Sequence, residues 1–360
     1  MQDEPPLPET PLSRLPTLLR WLLLLVSSAL LAVLFEIAGL PAGLLIGPMI
    51  AAIGMGGLGA ELRVSSYASW AAQAIIGCLI AASLEPALFA ALLDDWPILL
   101  GATLATLVAS GALGSIIGRL GILPGTTAIW GSAPGAASAM VLMAEAFGAD
   151  ARLVAFMQYV RVIMVSVAAA VIAGFFVDTS GVAAPHPDWF PVLQWPAFGL
   201  TLGIALVGAI GGKLLKLPAA MFLGPMLLGV ALHAGAGLAL QLPPWLLGAS
   251  YATVGWTIGL RFNRAVLAHA VRSLPQIMLS VLVLIAFCGG VAWLLVHYLG
   301  IDPLTAYLAT SPGGMDSVAI IAAASGNVDI AFVMALQMMR FLIVLLAGPS
   351  VARYFAGKAG

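Results

Sequence analysis

Arg161 and Arg340 are the residues best placed to do chemistry in this 360-residue chain, because each lies inside a long apolar run. Each has a glutamine three positions earlier, Gln158 and Gln337, a spacing that puts both side chains on one helix face. Each arginine falls about nine to eleven residues into its apolar segment, which is roughly 13–17 Å deep at ~1.5 Å per residue. Placing an arginine there costs roughly 2.5–3.5 kcal/mol on insertion scales, so an intramembrane arginine asks for a role. An Arg–Gln pair can bind an anionic or polar solute. It can equally cap the carbonyls of a broken helix or pair with a carboxylate.

A second set of residues could supply that broken helix. Ser132-Ala133-Pro134-Gly135-Ala136 returns later in the chain as Ser311-Pro312-Gly313-Gly314-Met315-Asp316. Proline removes a backbone donor and clashes with the preceding turn, and glycine frees the chain, so each segment predicts a helix break. In hydrocarbon the freed polar groups need partners in protein or in a water-filled cavity. Paired breaks in corresponding halves of a membrane protein point to a solute site. The candidate substrate-binding residues are therefore Ser132, Pro134, Gly135, Ser138, Gln158 and Arg161 in the first half. In the second they are Ser311, Pro312, Gly313, Gly314, Gln337 and Arg340. Asp316 stands where Ser138 stands in the first copy, and a carboxylate beside unwound backbone suits Na⁺ or proton coupling. Its alternative role is to cap the short helix after the break.

The elements that position these residues are membrane segments. The chain is 62% hydrophobic and only 8% charged, with a mean hydropathy of +1.10, where a soluble domain is nearer a quarter charged. The net charge of -1 and the lack of a basic stripe exclude direct nucleic-acid binding. Cys78 and Cys288 lie far apart without a CxxC spacing, and read as buried, inert thiols. His186, His233, His269 and His297 never fall at i, i+3 or i, i+4, so neither a metal nor another cofactor is expected. HExxH and GxSxG motifs are absent as well, so an enzyme is not expected.

Apolar segments fall near 20–38, 40–58, 67–92, 97–121, 124–147 and 152–177, and again near 195–215, 218–240, 245–268, 275–299, 303–325 and 329–352. The two sets match in detail. Pro41-Ala42 with Gly47-Pro48-Met49 matches Pro218-Ala219 with Gly224-Pro225-Met226 at an offset of 177, and Pro134-Gly135 matches Pro312-Gly313 at 178. Asp150, Gln158 and Arg161 match Asp329, Gln337 and Arg340 at 179, which reads as an internal duplication. Residues 1–19 are expected to form a disordered tail, 20–178 the first membrane repeat, 179–194 a linker and 195–356 the second repeat. The acidic start at Asp3, Glu4 and Glu9 is unlike a cleaved signal peptide.

Loop charges set the orientation. Arg14, Arg20, Arg63 and Arg119 alternate with Glu36 and Asp94-Asp95 in the first copy. In the second, Lys213 and Lys216 stand where Glu36 stood, and Arg261, Arg264 and Arg272 stand around the position of Asp94. Lys and Arg mark cytoplasmic loops, so the halves are expected to be inverted, with both termini cytoplasmic. Inversion needs an odd number of crossings per half. The predicted fold class is an all-α polytopic membrane protein of two inverted repeats, each of about five spanning helices plus one re-entrant hairpin at the Pro-Gly segment. Twelve plain helices in parallel repeats are the alternative.

Other residues are assigned local work. Asp150 and Asp329 are expected to cap helices. Glycines such as Gly54, Gly199, Gly208, Gly211 and Gly212 are read as close helix contacts. Tryptophans including Trp70, Trp96, Trp130, Trp195 and Trp293 are read as an interfacial belt.

The paired PAxxxxGPM elements, the SAPGAASAM and TSPGGMDSV segments and the trailing DxxxxxxxQxxR elements give the chain a family likeness. Over about residues 20–356 it resembles the duplicated bacterial integral membrane family called AbrB, also labelled "ammonia monooxygenase". The resemblance implies a bacterial inner-membrane protein, and the family name suggests regulation of gene expression. A monooxygenase would need metal ligands, and none are spaced for it here. The function expected is secondary transport of a small polar or anionic solute, with Na⁺ or H⁺ as candidate coupling ions, the lipid bilayer as surroundings and a homo-oligomer allowed. The alternative is a membrane-embedded sensor acting indirectly on expression.

Overall fold

The computed structural model describes residues 15–37, 43–83, 96–135, 137–176, 188–262, 264–313 and 328–356, and every element among them is a helix. In chain order they are α1 (Thr17–Ile37), α2 (Gly43–Gly57), α3 (Ser66–Ala82), α4 (Trp96–Arg119), α5 (Gly125–Ser132), α6 (Ala137–Ala146) and α7 (Ala151–Phe176). There follow α8 (Trp195–Leu214), α9 (Ala220–Ala236), α10 (Pro244–Gly259), α11 (Arg264–Leu299), α12 (Pro303–Thr310) and α13 (Ile330–Ala356).

By length and composition, the segments Thr17–Ile37, Trp96–Arg119, Ala151–Ala169, Trp195–Leu214 and Val266–Leu299 can each cross a bilayer. Helices α2, α3 and α6 are apolar but shorter. Two expected boundaries move. The helix at the N-terminus already begins at Thr17, so residues 17–19 belong to α1 and not to a tail. The break expected between 268 and 275 is not present: α11 runs unbroken for 36 residues through Pro275. Pro275 is exposed, so the backbone bond that it removes lies on the outward face, where no packed neighbour depends on it.

The helices assemble as two bundles, and each bundle draws on both halves of the chain. Helices α1–α3 pack with α8–α10, through α2 on α10, α3 on α9, α1 on α2 and α8 on α9. Helices α4–α7 pack with α11–α13, through α4 on α5, α11 on α12, α5 on α7 and α12 on α13. Exchanging the halves turns most of these pairings into one another. In the first bundle the packing is backbone on backbone: a Cβ at Gly208 would lie 2.5 Å from Pro225 Cα, and one at Gly224 would run into the Gly208 carbonyl. Only residues without a side chain allow α8 and α9 to approach so closely. Of the glycines read as contacts, Gly208 and Gly212 do this, while Gly54, Gly199 and Gly211 face open space.

Between the bundles lies one apolar cluster, in which Leu45, Ile76, Phe222 and Val254 meet Met140, Met143, Tyr159 and Phe341. A polar tie closes one end of it. Arg261, on the turn from α10 to α11, donates to Glu145 of α6 at 2.5 Å, and Arg152 of α7 donates to the Arg261 carbonyl at 3.0 Å.

Candidate functional site

The two Pro-Gly segments break their helices as expected, and the backbone shows why. Ala133 precedes Pro134 and takes φ −60°, ψ 123°; Ser311 precedes Pro312 and takes φ −54°, ψ 136°. A residue before proline is driven out of the helical region by the ring's Cδ, so α5 ends at Ser132 and α12 at Thr310. A helix end leaves its last carbonyls without intrahelical partners, and inside an apolar bundle they must be met by side chains.

Gln158 and Arg161 meet them in the first half. Gln158 Nε2 donates to the carbonyls of Trp130 at 2.8 Å and Ala133 at 3.0 Å. Arg161 Nη1 donates to Ala133 O at 2.7 Å, and its Nη2 donates to Gly135 O at 3.2 Å and to Gln158 Oε1 at 2.6 Å. The second half repeats the pattern atom for atom. Gln337 Nε2 donates to Leu308 O at 2.9 Å and Ser311 O at 3.1 Å. Arg340 donates to Ser311 O at 2.7 Å, to Thr310 O and Gly313 O at 3.4 Å, and to Gln337 Oε1. All four side chains are buried. Arginine's planar fork offers a separate Nη group to the carbonyl on each side of the proline, a fixed geometry that lysine's single ammonium does not reproduce.

The same pattern recurs one turn out. Thr127 Oγ1 accepts from the Asp150 amide and Thr305 Oγ1 from the Asp329 amide, both at 3.1 Å. Asp329 then caps α13 by accepting from Phe332 N at 3.0 Å, and Asp150 accepts from Arg152 N at 3.0 Å. Capping was the role read for both. Burial pushes the Asp150 carboxyl up, but the Arg152 hydrogen bonds and charge outweigh it and hold it below its ordinary 3.8.

Ser132, Pro134 and Gly135 are buried at the first break, Ser138 is half-buried on α6, and Ser311, Pro312 and Gly313 are buried at the second break. Gly314 and Asp316, the ion-coupling candidate, lie outside the described residues. The breaks are brought toward each other: α13 packs on α5 and α12 on α7, so each arginine helix touches the broken element of the other half. Trp130 is not part of an interfacial belt. It is 1% exposed and stacks on Phe147 at 5.7 Å, because α5 is enclosed by α4, α7 and α13.

Several polar residues in this region were not singled out from sequence. A cavity of about 10 Å³ opens between α4, α5, α7 and α11, and Ser110, Ser132, Arg161 and Ser280 line it together with apolar neighbours. Among the described residues, Ser132 Oγ and Arg161 Nε are buried without a hydrogen-bond partner, as are Thr103 Oγ1, Tyr307 OH and Arg340 Nε. Single hydroxyls on apolar helices carry no periodic signal. Thr127 and Thr305, by contrast, share the 178-residue offset and were findable from the duplication.

Comparison with known proteins finds relatives along most of the chain. The family model described as "Transition state regulatory protein AbrB" matches residues 44–356. A protein of Escherichia coli (strain K12) named "Putative regulator AbrB" is 46% identical over 342 residues, covering 95% of this chain and 98% of the relative. The "Uncharacterized protein YhjN" of Bacillus subtilis (strain 168) is 28% identical over 300 residues, covering 78% and 77%. The paired breaks with their Gln–Arg forks thus sit within a match that spans most of the sequence, and the chain belongs to the AbrB family.

Proposed function

We propose that this protein is a secondary transporter of a small polar or anionic solute, with its site where the two broken helices meet. One observation carries the reading: two helices end inside the buried bundle, each at a Pro-Gly segment, and each end is held by a buried Gln–Arg pair from the last helix of its own half. A fold that needed only to span the membrane would have no use for interrupted backbone at that depth. The eight residues of α5 and the ten of α6 are each too few to cross, so the pair dips in and returns as a re-entrant hairpin. With the exchanged loop charges, this gives two inverted repeats in a bacterial inner membrane with both termini cytoplasmic.

The moving units in this reading are the two bundles and not the two halves. The α1–α3/α8–α10 bundle contacts the other mainly through α10 on α7 and an apolar surface, which can slide without breaking backbone hydrogen bonds. Catalysis has no part in the reading. The carriers of solute contact are Ser132, Ser138 and the backbone of both breaks. Gln158, Arg161, Gln337 and Arg340 hold that backbone in place.

The name of the Escherichia coli relative, "Putative regulator AbrB", favours a second reading, a membrane sensor that binds the same solute and acts indirectly on expression. Flux into proteoliposomes separates the two. A solute that stabilises the purified protein and accumulates under a Na⁺ or pH gradient supports transport, and one that binds without crossing supports sensing.

A further inference from the structure

The geometry points to an anion anchor on the first half alone: the Ser132–Arg161 cavity holds one acceptor atom, a carboxylate oxygen of the solute or a free halide. This rests on the solute-binding reading above and deepens it. Space for about 10 Å³ is the room that a single water-sized group needs. The two donors available to it are the Arg161 Nε–H and the Ser132 hydroxyl, both buried and neither partnered among the described residues. Arg161 is 1% exposed and Ser132 8%, so each is a built part of the interior and not a surface group that found a gap. An unpartnered buried donor is unfavourable, and an occupant that accepts from both donors removes the penalty.

The charge of the occupant follows from the lining. Arg161 brings a positive charge, no acidic side chain is among the cavity's lining residues, and among the described residues neither Arg161 nor Arg340 has a carboxylate partner. Ser110 and Ser280 donate to the carbonyls of Leu107 at 3.1 Å and Ile277 at 2.7 Å, and each hydroxyl can turn toward the cavity when an anion arrives. A cation finds nothing here to neutralise it.

The counterpart in the second half is closed to this use. Thr310 stands at the position of Ser132, and its hydroxyl is already placed against the carbonyls of Ala306 at 2.9 Å, Cys288 at 3.2 Å and Tyr307 at 3.3 Å. Cys288 replaces Ser110 and Ala309 replaces Gly131, so a thiol and an extra methyl stand where the first half has a hydroxyl and a glycine packed against Met157. The two halves therefore share a scaffold and differ in what they can hold.

The test measures the thermal midpoint of the detergent-purified protein against sodium formate and sodium chloride, at constant ionic strength set with sodium tetrafluoroborate, whose fluorines are poor hydrogen-bond acceptors. Formate and chloride distinguish a carboxylate oxygen from a halide as the occupant. A saturable upward shift with either is expected, with the apparent Kd raised about tenfold or more in Ser132→Ala, which removes a donor, and in Ser280→Val, which fills the space. Without anion, Ser132→Ala should melt no lower than the wild type, because it deletes a hydroxyl that had no partner; a purely structural serine would lower it. No saturable shift, or a shift that survives both substitutions, would mean that the cavity takes only water and would overturn the inference. Proteoliposome flux is read separately, so the transport reading can stand when the anchor falls.

Discussion

Arg161 and Arg340 occupy the same place in two copies of one device: each is the eleventh residue of its helix, and each donates at 2.7 Å to the carbonyl of the residue that precedes a helix-breaking proline. The relationship explains how a buried arginine is tolerated without a described carboxylate partner. The helix C-terminus that it caps carries a partial negative charge, and the carbonyls would be orphans without it.

Arg161→Ala should therefore destabilise the protein by about 2–4 kcal/mol, from carbonyls left unmet in an apolar interior. Arg161→Lys should recover only part of the loss, since one ammonium must stand in for two Nη groups that reach Ala133, Gly135 and Gln158. Gln158→Ala combined with Arg161→Ala should cost less than the sum of the two, because either substitution alone already breaks the Arg161–Gln158 hydrogen bond. Thermal midpoints of the wild type, the three single variants and the double variant in detergent measure this.

Asp150 gives a pH-dependent contribution with a defined sign. Its carboxyl is held below 3.8 in the folded state, so its stabilisation is full above that value and is lost as pH falls through the lowered one. The stability gap between wild type and Asp150→Asn should be constant from about pH 5 to 7 and should shrink below about pH 4. A gap that widens in acid would contradict the assignment.

The Glu145–Arg261 pair ties the bundles together, yet its side chains are 41% and 53% exposed. Water and salt screen such a pair, so Glu145→Gln should cost less than about 1 kcal/mol in stability. The difference should vanish near 1 M salt, where the Debye length falls to about 3 Å. If the bundles move against each other, the same substitution should change the rate of solute uptake more than it changes the melting temperature.

Gly224→Ala tests the close approach of α8 and α9. The added methyl would meet the Gly208 carbonyl, which is backbone and cannot swing aside, so a loss of about 1–3 kcal/mol is expected. Gly211→Ala, one residue from a contact glycine but facing open space, should be neutral or slightly stabilising.

Much of this site was legible before any coordinates. Pro134 and Pro312 forecast the breaks because the steric rule for the preceding residue is local. The Gln–Arg spacing forecast a shared face because helix geometry is local too. What those arginines hold was not legible, since solute and capped carbonyl ask for the same side chain. The mixing of halves into two bundles was hidden for a different reason. Gly77 lies against Phe222 and Gly255 against Leu45, and a glycine's sequence context says that something approaches without saying what. Trp130 was misread because an aromatic near a predicted break looks like one at a membrane surface. Of the pocket serines only Ser132 was singled out, through its place beside Pro134; Ser110 and Ser280 escaped, each being one hydroxyl on an apolar helix.

The most direct test of the central claim is the accessibility of the two breaks. In a Cys78→Ala, Cys288→Ala background, Ser132→Cys and Ser311→Cys are each challenged with a membrane-impermeant thiol reagent in right-side-out and inverted vesicles. The account predicts that each cysteine is labelled from both sides, at rates that fall when a transported solute is present. Labelling of neither cysteine, or labelling from one side only whatever the solute, would contradict it.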